Sequence, residues 1–141
     1  MPLFYISFGI AILSSVFYHI AQKATSPLVN PAIALLVTYA SAFILTIPLI
    51  RIFPLNSSLA ESLRRVNWAT FGLAIAIVGL EIGFLLAYRS GWSVNLTGVA
   101  VNVAAAVVLV PVGITFFREQ PSLINIMGVF VCIAGLIMLN K

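Results

Sequence analysis

Five apolar segments alternate with polar breaks along the chain. They cover about residues 3–23, 31–52, 67–88, 96–117 and 123–139. Each is close to the ~20 residues with which a helix crosses about 30 Å of hydrocarbon. The breaks contain proline, asparagine, serine or glycine, which favour turns. The pattern therefore predicts five membrane-spanning segments.

These segments are predicted to be helices. In lipid, backbone polar groups must be satisfied within each segment, and the sequence lacks the alternating strands of a membrane barrel. Only the break at 54–67 is long and polar, so the other neighbouring helices are joined by short loops and run antiparallel. We expect an all-α integral membrane protein. Its single five-helix domain, residues 1–141, would have its two ends on opposite sides of the membrane.

The composition agrees with a membrane location. Of the 141 residues, 62% are hydrophobic and only 7% are charged, whereas a soluble domain needs roughly a quarter of its residues charged. We therefore expect a multi-pass protein, of the plasma or inner membrane if the source is prokaryotic. The first segment lacks a basic stretch before it, so we expect it to stay in the mature protein rather than act as a signal peptide.

Several chemistries are disfavoured by the residues that the chain contains. The net charge is +4, but the seven basic residues are scattered and form no patch for nucleic acid. The chain contains no aspartate and one histidine. It therefore cannot form a Ser–His–Asp triad, and a metal cluster held by protein side chains is disfavoured. No P-loop is present. We expect neither an enzyme nor an ATP-driven pump, and no cofactor.

The basic residues are almost evenly divided between the two membrane faces. One face carries four and the other three: Arg51, Arg64, Arg65 and Arg118 against Lys23, Arg89 and Lys141. Because an excess of Lys and Arg normally sets orientation, we expect insertion in both orientations. The alternative is that the pair Arg64–Arg65 fixes one orientation, with the N-terminus inside.

Dual topology would allow an antiparallel homodimer. Many secondary transporters consist of inverted repeats with the substrate site where the repeats meet. Five helices are half of such an architecture, and a second copy in the opposite orientation would supply the other half. We therefore expect membrane lipid and a second copy of the chain as partners.

Glu81 is the only acidic residue within a predicted span. A charged group at that depth costs ~2.5–3.5 kcal/mol on insertion scales and commonly marks a functional cavity. Helical spacing places Tyr88 on the face of Glu81, and Gly79 and Gly83 on the opposite face. These glycines form a G-x-x-x-G pair, which allows close approach of another helix. The alternative is a carboxyl that is protonated or hydrogen-bonded for purely structural reasons.

Depth in the membrane suggests neighbours for Glu81. Glu81 and Tyr39 each lie eight residues, and Asn102 seven residues, from the helix end at one membrane face. All three are therefore expected to share a layer about 11–12 Å deep. A phenol and an amide can both donate hydrogen bonds to a carboxylate. Each alone more commonly forms hydrogen bonds that hold neighbouring helices together. His19 lies nearer that face, where it could relay protons or snorkel to the headgroups. The predicted substrate or proton site comprises Glu81, Tyr39, Asn102, Tyr88 and His19.

Three motifs resemble the short, unfused five-helix members of the drug/metabolite transporter superfamily: "YHIAQK" (18–23), "NPAIALLVTYASA" (30–42) and "GLEIGFLLAYRSGW" (79–92). The stretch "FREQPSLINIMGVFVCIAGLIML" (117–139) is similar to the closing loop and last helix of its EamA-type domains. The resemblance covers nearly the whole chain and implies secondary transport of a small metabolite or cation. Larger relatives contain two such domains in inverted arrangement. By this analogy the last helix, with Gly128 and Gly135, contributes to dimerisation.

One departure limits the analogy. The small multidrug exporters of this superfamily carry their coupling glutamate in helix one, whereas here the only acid within a span is on helix three. Their exchange mechanism is therefore not transferred residue by residue. We expect a small transporter in which Glu81 alternately binds a proton and a cationic or polar substrate. A structural or regulatory subunit that needs another partner, and a channel, remain alternatives.

Overall fold

The computed structural model describes residues 2–139, with side chains from residue 3, and this part of the chain is all helical with no strands. Its helices are α1 Pro2–Ala24, α2 Pro31–Thr46, α3 Leu49–Ile52, α4 Leu59–Arg64, α5 Trp68–Arg89, α6 Val94–Phe116 and α7 Leu123–Leu139. Within residues 2–139, four helical stretches are long and apolar enough to cross a membrane: Leu3–Ala24, Pro31–Ile52, Trp68–Arg89 and Val94–Phe116. The fifth predicted segment forms α7, an apolar helix of 17 residues. Five spans stay a prediction.

The second predicted segment is divided at Pro48 into α2 and α3. Proline has no backbone N–H, so it cannot donate to the carbonyl four residues earlier. The backbone nevertheless stays helical, with φ/ψ of −55°/−47° at Ile47 and −61°/−21° at Pro48. The two helices therefore follow one another as a single stretch of membrane-spanning length.

The polar break at 54–67 contains a helix that the hydrophobic pattern does not indicate. Ser58 caps α4 by accepting a hydrogen bond from the Glu61 N–H at 3.2 Å. The Glu61 carboxylate forms an exposed ion pair with Arg65 at 2.8 Å. Ser58 and Glu61 have the S-x-x-E spacing of a capping box, which is the sequence signal for this helix.

The helices group into two compact units. One contains α1, α6 and α7, and the other contains α2 to α5. In the first unit α6 packs against α7, and the ring of His19 on α1 lies against Gly98 on α6. In the second unit α2 packs against α5. A single five-helix domain stays a prediction.

Most of the large apolar side chains are exposed on the isolated chain. Among the described residues, the buried hydrophobic side chains are Leu35, Phe84, Leu85 and Tyr88. Contiguous apolar surface of this extent needs cover from lipid or from another protein. The helices are therefore compatible with a multi-pass membrane protein.

The contact between α1 and α6 depends on the lack of a side chain at position 98. A Cβ added to Gly98 would lie 3.2 Å from His19 Nε2 and 3.5 Å from its Cδ2. We expect Gly98→Leu to lower the stability in detergent by ~1–3 kcal/mol, the usual cost of overpacking. The midpoint of thermal unfolding, followed by circular dichroism, measures this loss.

Gly9→Leu is the matched control on α1, because an added Cβ there meets nothing within 4 Å. The second substitution His19→Ala should restore most of the loss caused by Gly98→Leu. Equal unfolding midpoints for Gly98→Leu and Gly9→Leu would show that this contact does not stabilise the unit.

Candidate functional site between α2 and α5

A groove of about 370 Å³ lies between α2 and α5, within the second unit. Three of the lining residues are polar: Thr38 and Tyr39 from α2, and Glu81 from α5. The others are apolar: Ala42 from α2, and Ala74, Ile77 and Val78 from α5. Two of the residues predicted for the site, Tyr39 and Glu81, are thus brought together. A carboxyl group and a phenol share an apolar cleft.

Helical spacing explains how the sequence builds this groove. Thr38 and Ala42 are four residues apart on α2, and Ala74 and Val78 are four apart on α5, so each pair lines one face of its helix. The small side chains of Ala42 and Ala74 leave space between the two helices. Tyr39 and Glu81 line the same groove.

The hydroxyl of Tyr39 is the unusual group of this site. It is buried, and the described residues provide no hydrogen-bond partner for it. A buried polar group without a partner costs about 1–3 kcal/mol, so such a group commonly has a role that offsets its cost. Thr38 differs, since its Oγ1 donates to the Ala34 carbonyl at 3.0 Å and can only accept from a ligand. Glu81 is half-buried.

Arg89 connects the end of α5 to the turn that precedes α2. Its Nη2 donates hydrogen bonds to the carbonyl oxygens of Ser26 at 3.0 Å and Val29 at 2.7 Å. Asn30 then caps α2, since its Oδ1 accepts from the Ala32 N–H at 2.9 Å. The start of α2 is therefore held beside the end of α5.

This attachment sets the level of the two polar groups. Glu81 lies eight residues before Arg89, and Tyr39 lies eight residues after the first residue of α2, Pro31. Eight residues of helix correspond to about 12 Å, so the two side chains reach the same level in a pair of antiparallel helices. Arg89 therefore positions the site without lining the groove.

The role of Arg89 was missed by the sequence analysis, which considered only the membrane face on which it lies. A signal was present, because an arginine in the last turn of a helix can hydrogen-bond carbonyls and interacts favourably with the helix dipole. The carbonyls here belong to another turn, around Pro27, that is remote in sequence from Arg89. Which carbonyls it binds depends on tertiary structure.

The other predicted site residues do not line this groove. Tyr88 is only 4% exposed and stacks on Phe84, with 6.0 Å between the ring centroids. His19 and Asn102 belong to the first unit. His19 is half-buried and makes an edge-to-face contact with Tyr18 at 5.1 Å, whereas Asn102 is exposed on α6. A common layer of Glu81, Tyr39 and Asn102 stays a prediction.

The four glycines predicted to mediate packing have open surroundings. A Cβ added to Gly79, Gly83, Gly128 or Gly135 would meet nothing within 4 Å. No helix of the described chain therefore uses either glycine pair for close approach. Both faces are free for lipid or for another protein. Residues 2–139 also contain no group of three or more metal-ligating side chains that could hold a metal ion.

The connection made by Arg89 gives a prediction about the turn at 25–30. We expect Arg89→Gln to accelerate hydrogen exchange of the Leu28 and Val29 amides about tenfold, because hydrogen bonds from a charged group contribute ~1.5 kcal/mol or more. Exchange measured by mass spectrometry in detergent tests this. Arg51→Gln is the control, since Arg51 is an exposed residue of α3. Unchanged exchange in Arg89→Gln would remove its positioning role.

Comparison with known proteins gives no independent assignment. No family model matches the chain, and no curated protein or solved structure is significantly similar to it. The similarity to EamA-type domains therefore stays an expectation from the motifs in the sequence. The function has to be inferred from the chemistry of the groove.

Proposed function

We propose that this protein is a secondary transporter that exchanges protons for a small cationic or polar compound at Glu81. The observation that carries this proposal is the groove between α2 and α5. It combines one carboxyl group and one buried, unpartnered phenol hydroxyl in an otherwise largely apolar lining. Both helices belong to stretches long enough to cross a membrane.

The exchange follows from the cost of charge in an apolar medium. An ionised carboxylate in hydrocarbon is costly unless a proton or a cation neutralises it. A proton and a cationic substrate would therefore compete for Glu81, and binding of one would release the other. The Tyr39 hydroxyl would donate a hydrogen bond to the carboxylate or to an acceptor on the substrate. Rearrangement of the helices would expose the site to the two sides in turn.

A second copy of the chain, inserted in the opposite orientation, would complete the transport pathway. The nearly even distribution of basic residues between the faces supports both orientations. The resemblance to half-size members of the drug/metabolite transporter superfamily supports an inverted pair. The open glycine faces support contacts between copies, because small residues let helices approach closely.

Helix α7 offers a particular surface for this dimer. Gly128, Cys132 and Gly135 are spaced by four and three residues, so they form one face of the helix. Cys132 is an exposed free cysteine near the middle of α7. If two copies of α7 cross antiparallel about their midpoints, the two Cys132 side chains meet.

The open glycine faces also favour a second function, that of a structural or regulatory subunit in a larger membrane complex. Gly79 and Gly83 would then pack against a different protein. Such a subunit would carry out no transport when it is reconstituted alone. Transport by the purified protein therefore distinguishes the two functions.

Removal of the carboxyl group tests the proposed exchange. Purified protein in proteoliposomes is screened with a panel of cationic and polar compounds, and proton flux is the readout. We expect Glu81→Gln to abolish substrate-driven proton flux, because glutamine cannot exchange a proton. Tyr39→Phe should weaken apparent substrate affinity about tenfold, the effect of losing one hydrogen bond to a charged group.

Glu61→Gln is the matched control, because Glu61 is an exposed acid of α4 outside the groove. Its proton flux should equal that of the unmodified protein. Glu81→Gln transport with unchanged dependence on pH would exclude the coupling role of Glu81. Ion flux far faster than exchange, without dependence on a counter-substrate, would indicate a channel.

Cysteine cross-linking tests the antiparallel dimer. We expect oxidation with copper phenanthroline to link Cys132 of two copies in the membrane. In a Cys132→Ser background, Asn125→Cys and Leu139→Cys lie seven residues on either side of the midpoint. Each variant alone should cross-link poorly, whereas the two co-expressed should cross-link to one another.

A parallel pair would give the opposite result, with efficient cross-linking of each variant to its own copy. Absence of cross-linking in every combination would exclude α7 as the contact surface. A reporter fused to the C-terminus checks orientation independently. It should be detected on both sides of the membrane, and detection on one side alone would contradict dual topology.

A further inference from the structure

Helix α4 has an apolar face that no described helix covers. Leu59 and Leu63 are one helical turn apart, and their side chains are 59% and 62% exposed. The helical turn continues past Arg64, because the Val66 N–H donates to the Leu63 carbonyl at 3.2 Å. Val66 therefore lies on the same side as Leu63, and it too is exposed. No other helix within residues 2–139 packs closely against α4.

The charged side chains of this segment lie away from its apolar face. At 3.6 residues per turn, Glu61 is rotated by about 200° and Arg65 by about 240° from Leu59. These two side chains form the exposed ion pair described above. Arg64 is also exposed, and its guanidinium takes part in no ion pair among the described residues. The segment therefore carries one uncompensated positive charge beside an apolar face.

Local hydrogen bonds form α4 without help from other helices. Ser58 caps its first turn, and the hydroxyl groups of Ser57 and Ser62 lie 3.1 Å apart and share a hydrogen bond. A helix of six residues is nevertheless marginal in water, and most helices in proteins are stabilised by burial of an apolar face. The face of Leu59, Leu63 and Val66 thus requires a partner that the described chain does not provide.

The connection to α5 keeps α4 close to the membrane face. Helix α5 is long and apolar enough to cross a membrane, and it begins at Trp68, which is 82% exposed. Tryptophan is enriched where headgroups meet hydrocarbon. Val66 lies two residues before Trp68, and two residues of chain span at most about 7 Å. Because the headgroup region is itself about 5–7 Å thick on each side, the end of α4 stays within it when α5 spans the membrane.

Lipid fits this surface better than another protein does. A stable protein interface buries about 800 Å² on each partner and involves about 20–30 residues a side, whereas the apolar face of α4 has three apolar side chains. Lipid around the long helices reaches this face when α4 lies flat on the membrane surface. A short apolar face beside a basic residue is typical of helices that lie in the membrane interface.

We propose that α4 is an interfacial helix that binds the surface of a membrane containing anionic phospholipid. Leu59, Leu63 and Val66 enter the boundary between headgroups and acyl chains, and the Arg64 guanidinium binds a lipid phosphate. Arginine suits this role because its long side chain extends to the headgroups and its guanidinium matches the geometry of phosphate. The proposal rests on a membrane location for α5 and does not depend on transport at Glu81.

Spin labels on single cysteines test whether α4 lies in the interface. The full chain, in a Cys132→Ser background, is labelled at Leu59→Cys, Leu63→Cys or Val66→Cys and reconstituted in vesicles of phosphatidylcholine and phosphatidylglycerol. Collisions of each nitroxide are measured with oxygen, which partitions into lipid, and with a neutral nickel chelate, which stays in water. Glu61→Cys is the matched control, because it places the same label on the opposite face of the same helix.

We expect the ratio of oxygen to nickel collisions to be several-fold higher for the three labels on the apolar face than for the label at position 61. Equal ratios on the two faces would overturn the proposal, since α4 would then project into water. Labels on the apolar face that collide with neither reagent would show that protein, such as a second copy of the chain, covers it, which also overturns the proposal.

Tryptophan quenching tests the preference for anionic lipid. In Trp92→Phe, the remaining tryptophan is Trp68, four residues after Arg64. We expect phosphatidylglycerol with brominated acyl chains to quench Trp68 more strongly than brominated phosphatidylcholine does. Arg64→Gln should weaken this preference about fivefold, the equivalent of ~1 kcal/mol for one basic residue near anionic lipid.

The control reporter is Trp92 in a Trp68→Phe variant, because Trp92 follows the other end of α5. Arg64→Gln should leave its quenching by either lipid unchanged. Equal quenching of Trp68 by the two brominated lipids would overturn binding of anionic phospholipid, as would a preference that Arg64→Gln leaves intact.

Discussion

The hydrogen bonds from Arg89 to the turn before α2 are the constraint on which the groove depends. Arg89 binds the carbonyls of Ser26 and Val29, and so fixes where α2 begins relative to the end of α5. From that point both helices have the same rise per residue, which brings Tyr39 and Glu81 to one level. Two apolar helices without this attachment could slide past one another, because apolar contacts have little directional preference.

The chemistry of the groove follows from the contrast between its lining and its polar groups. Alanines at positions 42 and 74 open the space, and the surrounding side chains are mostly apolar. In such a medium a carboxylate needs a neutralising partner, and the Tyr39 hydroxyl needs an acceptor. A proton or a cation can neutralise the carboxylate. The carboxylate or a substrate can accept the hydrogen bond of the Tyr39 hydroxyl. The proposed exchange between proton and substrate would use both groups.

The sequence predicted the helices well because each one is encoded locally. Apart from the division of the second segment at Pro48, the long helices begin and end within two residues of the predicted positions, where prolines and polar residues interrupt the apolar runs. The capping-box spacing at Ser58 would also have predicted α4. The pairing of Tyr39 with Glu81 followed from counting residues from one membrane face. Which carbonyls Arg89 binds was not predictable, because it depends on how helices remote in sequence rotate and pack.

We propose that protons and substrate compete for Glu81. The most direct measurement is labelling by dicyclohexylcarbodiimide, which reacts with protonated carboxyl groups in apolar surroundings, followed by mass spectrometry of the modified peptide. We expect that Glu81 is labelled and that a transported cation protects it in a concentration-dependent manner, while labelling of Glu61 does not change. Labelling of Glu81 that is unaffected by a saturating concentration of the transported cation would show that the cation does not compete with protons for this carboxyl group.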